Sequence, residues 1–156
     1  ILVLGKALTG GCIGHAVTVA NRRGYEGFYD ENPSHALMHG PTFMGNALAC
    51  SAALKSIELF EQQDYMSKIR KIEAITRREM QGFSDPRVKE VRIMGACVCI
   101  EVYDPDTIAG YQQFACGRGV FSRPFLNYMY AMVPYIIRED ELVAVLQTMK
   151  AWFAER

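Results

Sequence analysis

The chain has 156 residues, half of them apolar, which suffices for one ordinary core or for pieces of two. Seventeen basic and seventeen acidic side chains cancel, excluding the strong positive field of a nucleic-acid or acidic-membrane binder. No run reads as a transmembrane span or as a basic-then-apolar leader, so no membrane partner is expected.

Residues 1–4 form an apolar run that predicts a short buried strand in a parallel sheet. It delivers Lys6 onto the small, glycine-rich loop Gly5-Lys6-Ala7-Leu8-Thr9-Gly10-Gly11. A lysine amine is a nucleophile only when neutral, and burial beside cationic or apolar groups makes it a Schiff-base former. The same residues also read as a lysine that merely ends a strand. Ile1 is not an initiator methionine, and a core strand needs neighbours on both sides. The chain is therefore expected to be the C-terminal portion of a longer protein.

Residues 13–20, with β-branched Val17, Thr18 and Val19, predict a second strand. Residues 21–38 hold Gly24, Gly27 and Pro33 and read as loop with one short helix. Residues 45–60 predict a helix whose spacing is kept by Leu48, Ser51, Ala52 and Ile57. Just before it lies His39-Gly40-Pro41-Thr42. A hydroxyl and backbone N–H groups at a helix N-terminus make a phosphate cradle, and an ordinary threonine cap fits the same residues. Residues 62–81 predict a second helix with an apolar stripe of Tyr65, Ile69, Ile72, Ile75 and Thr76, closed by Gly82.

Residues 88–94 and 96–103 predict two antiparallel strands hinged at Gly95. Residues 105–116 predict a helix, and 120–122 and 128–132 predict short strands flanking the Arg123-Pro124 turn. Arg123 lies between apolar segments, where a guanidinium must meet a planar anion, a protein carboxylate or solvent. Residues 139–153 predict a closing amphipathic helix with Leu142, Val145, Leu146, Met149 and Phe153 on one side.

Five cysteines stand at 12, 50, 97, 99 and 116. The count is odd and no CxxC pair occurs, which suits buried thiols of a reducing cytosol. Cys97 and Cys99 alternate along a strand and so share a face. They could bind metal, but the sequence offers no second ligand pair, and no metal is expected. His15, His35 and His39 pair with no carboxylate at a telling spacing; His39 reads as a wall residue.

Three blocks carry a resemblance in fixed order: Leu4-Gly5-Lys6-Ala7-Leu8-Thr9-Gly10-Gly11, then His39-Gly40-Pro41-Thr42-Phe43-Met44-Gly45-Asn46, then Phe121-Ser122-Arg123-Pro124-Phe125 with Tyr130 and Pro134-Tyr135-Ile136-Ile137. They resemble the class III aminotransferases, which use pyridoxal 5'-phosphate (PLP), and within them the diaminopelargonate synthases of biotin synthesis. The resemblance implies an α/β, fold type I PLP-dependent transferase. Residues 1–61 would end the large PLP-binding domain, and 62–156 would form a small C-terminal α+β domain. It also implies a cytoplasmic homodimer that transfers an amino group from S-adenosylmethionine to 8-amino-7-oxononanoate.

Lys6 matches the family's Schiff-base lysine, both catalytic and cofactor-binding. Thr42 matches the threonine that reaches the PLP phosphate of the partner subunit. Pro41 would touch cofactor and Gly40 substrate through the same stretch. Arg123 matches the arginine that binds the carboxylate of the amino-ketone substrate. Tyr130 stands where enzymes for α-amino acids carry an arginine, so the resemblance implies a site for a long alkyl chain and an adenosyl group.

Val133 replaces the first of two usual prolines, Ala47 replaces a common proline, and Leu126 stands where glycine is frequent. These departures leave open another class III ω-aminotransferase acting on a diamine or ω-amino acid. A dimerisation module without catalysis is a further alternative. The family's pyridine-nitrogen aspartate and stacking tyrosine would precede Ile1, so these 156 residues alone are expected to be inactive.

Overall fold

The computed structural model describes residues 1–156, which divide into two compact units, Ile1–Gln63 and Asp64–Arg156.

In the first unit, β1 (Leu2–Leu4) pairs antiparallel with β2 (Val17–Val19), Leu2 opposite Val19 and Leu4 opposite Val17. The expected buried parallel strand is instead half of a two-stranded ribbon, with Ile1 87% and Val3 68% exposed. No second layer of the unit lies over it, so the apolar run signals a surface that this unit leaves uncovered. A 3-10 turn over Lys6–Thr9 follows β1, and α1 (Arg22–Glu26) is the short helix expected in the loop region.

The long helix of this unit is α2 (Ala47–Gln62), and Asn46 caps it by accepting from the Ala49 N–H at 3.0 Å. The side chains that turn inward are Ala49 and Ala53, whereas Leu48, Leu54 and Ile57 are exposed. Small residues win the buried positions because the Lys6–Thr9 turn packs closely on this helix. Thr9 is buried there, its hydroxyl donating to the Ile13 carbonyl at 2.5 Å, and the Ser56 hydroxyl reaches the Ala7 carbonyl at 3.5 Å.

The second unit is an antiparallel sheet in the order β3-β4-β5, from β3 (Val88–Met94), β4 (Cys97–Val102) and β5 (Tyr128–Met132). Strands β3 and β4 join through Gly95-Ala96. Gly95 has φ +55°, and a Cβ there would lie 2.9 Å from Ile69 Cγ2, so both conformation and space demand glycine.

Helices α3 (Tyr65–Met80) and α5 (Glu139–Ala154) complete the core. Ile72, Ile75 and Met80 of α3 meet Leu142, Leu146 and Met149 of α5, together with Val98, Ile100 and Val102 of β4. The period-2 alternation of β4 sends those three inward and turns Cys97, Cys99 and Glu101 to the other face.

Three sequence expectations differ here. The break at Gln63-Asp64 starts α3 at Tyr65, with Asp64 at φ +46° capping Ser67. The predicted 105–116 helix is a 3-10 turn (Pro105–Ile108) and α4 (Tyr111–Cys116), separated at Gly110 with φ +85°. Residues 120–122 form no strand; the segment is held by side-chain and turn contacts instead of a ladder.

Candidate active site

Lys6 opens the 3-10 turn directly after β1, with φ +44°, a left-handed conformation rare for a residue with a side chain. Gly10, at φ +61°, closes the same turn. The geometry is a sharp corner docked on α2 through Ala7, Thr9 and Ser56. The Lys6 side chain is exposed, and no carboxylate or hydrogen-bond acceptor engages its amine.

Gly40, Pro41 and Thr42 lie in an exposed turn that leads toward α2. The turn is closed by the Met44 N–H on the Pro41 carbonyl at 2.9 Å and the Asn46 N–H on the Phe43 carbonyl at 3.2 Å. Because Asn46 caps α2, Thr42 is not the helix cap; its hydroxyl is exposed and serves no internal hydrogen bond. The structure thus places Lys6 and Thr42 in one unit, on the turn packed against α2 and the turn leading into it, and no hydrogen bond joins them.

In the second unit, Arg123 and Tyr130 come together. Both line a cavity of about 800 Å³, with Phe121, Val133, Pro134 and Val145 as apolar walls. Arg77, Arg78, Arg87, Arg92, Arg118 and Arg138 of this unit all form ion pairs, and Arg123 forms none. Its guanidinium is exposed and carries five donors without a protein carboxylate.

Ser122, buried at 6% exposure, is a residue that sequence reasoning missed. Its hydroxyl donates to the Tyr130 carbonyl at 3.1 Å, tying the strandless 120–123 segment to β5. The available signal was a lone hydroxyl between Phe121 and Arg123. Tyr111 lies beneath it, fully buried and edge-on to Trp152. Burial holds the Tyr111 phenol above its ordinary pKa, with Ser122 offsetting the shift in part.

Beyond Arg123 the chain reverses at Leu126-Asn127, where Phe125 and Tyr128 exchange both backbone hydrogen bonds at 2.9 Å. Leu126 has φ +51°.

The class III aminotransferase family profile matches residues 1–153. The chain belongs to the class III aminotransferases. It is 34% identical, over 97% of its own length and 36% of the relative's, to the adenosylmethionine-8-amino-7-oxononanoate aminotransferase of Corynebacterium glutamicum. The crystal structure of the enzyme with the same description from Methanocaldococcus jannaschii matches with a TM-score of 0.85 at 30% identity, covering 98% of this chain and 38% of that one. An amine transaminase from an uncultivated Pseudomonas species, in a PLP-bound form, matches with a TM-score of 0.86 at 26% identity, covering 98% and 38%. The chain thus spans about a third of the length of the relatives it matches.

Class III aminotransferases are PLP-dependent, and the fold is that of their fold type I. The residues of the first unit fit such a group. A primary amine without partners suits an aldehyde carbon, and an idle hydroxyl on an exposed turn suits a phosphate. A Cβ at Gly40 or at Gly45 would meet nothing within 4 Å, so the backbone of this turn is open to a ligand. No helix is long and apolar enough to cross a membrane.

Proposed function

We propose that this chain serves a cytoplasmic, homodimeric aminotransferase that moves an amino group from S-adenosylmethionine to 8-amino-7-oxononanoate, yielding 7,8-diaminononanoate for biotin synthesis. The observation that carries this reading is the Arg123 guanidinium, free of protein carboxylates and sharing a largely apolar groove with Tyr130. Such a groove suits a substrate with a carboxylate at the end of an alkyl chain. The identity to relatives of that description supports it.

PLP, when bound, supplies the electron sink that loosens the bond beside the amino group being transferred. Lys6 Nζ is the attachment point and the base that takes and returns the migrating proton. The Thr42 hydroxyl offers a donor to a phosphate held by the partner subunit, which makes the homodimer part of the reading; Pro41 borders the same phosphate and Gly40 the substrate. Arg123 binds the substrate carboxylate in fork geometry. Tyr130 presents an aromatic wall to the alkyl and adenosyl groups where an arginine would select α-amino acids.

The test uses the whole aminotransferase that this chain serves, and begins with PLP, borohydride reduction and peptide mass mapping. A pyridoxyl group on Lys6 is expected, and its absence there sinks the reading. Donor competition follows: S-adenosylmethionine should outcompete diamines and ω-amino acids, and the reverse order would assign a different class III ω-aminotransferase.

A further inference from the structure

The sheet face of the second unit that points away from the core carries a cluster of sulfur. Strand register places Met94 directly opposite Cys97, and Cys97 directly opposite Met132. Directly opposed residues share a face, with Cβ atoms about 5 Å apart. Cys99 follows two residues on and shares that face, flanked by Arg92 on β3 and Tyr130 on β5. Two thiols and two thioethers therefore converge at one end of the sheet. The second ligand pair that the sequence lacks around Cys97 and Cys99 is supplied by methionines across the strands.

These donors are not spent on packing. Met94 is 82% and Met132 75% exposed, so neither thioether is committed to the core. Both cysteines are half-buried and free of disulfides. Two Cβ atoms two residues apart on a strand are separated by roughly 6.6 Å. Thiolates leaning toward each other can then span one metal, given metal–sulfur bonds of about 2.3 Å. Arg92, directly opposite Cys99 on β3, borders the same face.

We infer that Met94, Cys97, Cys99 and Met132 form a binding site for a soft monovalent d10 cation, Cu(I). Thiolate and thioether donors select such an ion. Zinc is disfavoured because no group of three or more His, Cys, Asp or Glu side chains could hold it. Each thiol releases its proton to solvent as its sulfur–copper bond forms; copper enters and leaves as Cu(I), with no change of oxidation state.

The experiment is an anaerobic competition between the purified full chain and bicinchoninate for Cu(I), read by loss of the coloured copper complex. One Cu(I) per chain is expected, retained by a C12S/C50S/C116S variant and lost in C97S/C99S. Loss in C12S/C50S/C116S with retention in C97S/C99S would overturn the assignment. The M94L/M132L variant alters only exposed side chains, so its fold is secure; weaker retention is expected, and unchanged affinity would overturn the four-donor site. Copper-edge X-ray absorption should give a sulfur-only shell, and nitrogen or oxygen neighbours would overturn it as well.

Discussion

The Ser122 hydroxyl donates to the backbone carbonyl of Tyr130 at 3.1 Å, so Arg123 and Tyr130, both in the lining of the apolar groove, are tied together by the side chain next to Arg123. Without this bond the 120–123 segment has no ladder to place it. Ser122→Ala should cost about 1 kcal/mol of stability. On the proposed reading, in which the chemistry takes place at Lys6, it should also raise KM for the carboxylate substrate while leaving kcat nearly unchanged. Steady-state kinetics with thermal unfolding separates these effects; an unchanged KM would make the bond purely structural.

Arg123 offers a sharper test. If its free guanidinium receives the substrate carboxylate, Arg123→Ala should raise KM for that substrate by roughly 30- to 100-fold. Arg123→Lys keeps the charge but not the fork and should recover only part of the loss. The amino donor's KM should move far less. Equal losses for both substrates would remove Arg123 from the carboxylate site.

Much of this was legible in the sequence where one local rule decides. Alternation in β4 and β5, the Gly95 hinge and the stripe of α5 follow from period and turn chemistry. The family resemblance named Lys6, Thr42, Arg123 and Tyr130, whose roles are for pyridoxyl mapping and substitution kinetics to decide. What was not legible depends on partners distant in sequence. The apolar residues 1–4 read as buried, although apolarity says only that a surface wants cover. In α2 the helical spacing was read from Leu48, Ser51, Ala52 and Ile57, yet the residues that turn inward where the turn docks are Ala49 and Ala53. Asn46 took the cap that Thr42 also suited, since capping is settled by where the helix starts.

Leu126 occupies a position made for glycine. With φ +51° at the first of two residues in a hairpin turn, it sits where such turns require a left-handed conformation. Leu126 is 67% exposed, so little packing offsets the strain. Leu126→Gly should stabilise the chain by about 1 kcal/mol, less a few tenths for unfolded-state entropy, raising Tm by roughly 2–4 °C. A drop in Tm on calorimetry would mean that Leu126 packing outweighs the backbone strain.

Glu101 links this turn to pH. Its carboxylate, 7% exposed, accepts from Lys89 at 2.7 Å and Arg92 at 2.8 Å. The Asn127 side chain bonds the Val102 carbonyl beside it at 3.1 Å. The Lys89 hydrogen bond, with Arg92, holds the Glu101 carboxyl below its ordinary value. A depressed folded pKa contributes stability that is present above the unfolded value of about 4.3 and is lost as pH falls through the folded value. Wild type should therefore exceed Glu101→Gln in Tm near neutral pH, with the gap closing through the acid range. A gap that stays constant to the lowest pH would exclude Glu101 as the titrating group.

At Lys6 the conformation of the backbone and the chemistry of the side chain make opposite demands. The left-handed φ of +44° favours glycine, while the proposed attachment of PLP requires an amine. A side chain kept in such a conformation costs of order 1 kcal/mol and persists where function needs it. Lys6→Gly and Lys6→Ala should both abolish amino transfer and the borohydride-fixed pyridoxyl group. They should differ in stability, Lys6→Gly being the more stable by about 0.5–1 kcal/mol because only alanine keeps the strained Cβ. Denaturant unfolding of the two variants, each without PLP, measures that difference directly. Equal stabilities would show that the turn relaxes once the lysine is gone, and that the strain belongs to the lysine side chain and not to the turn itself.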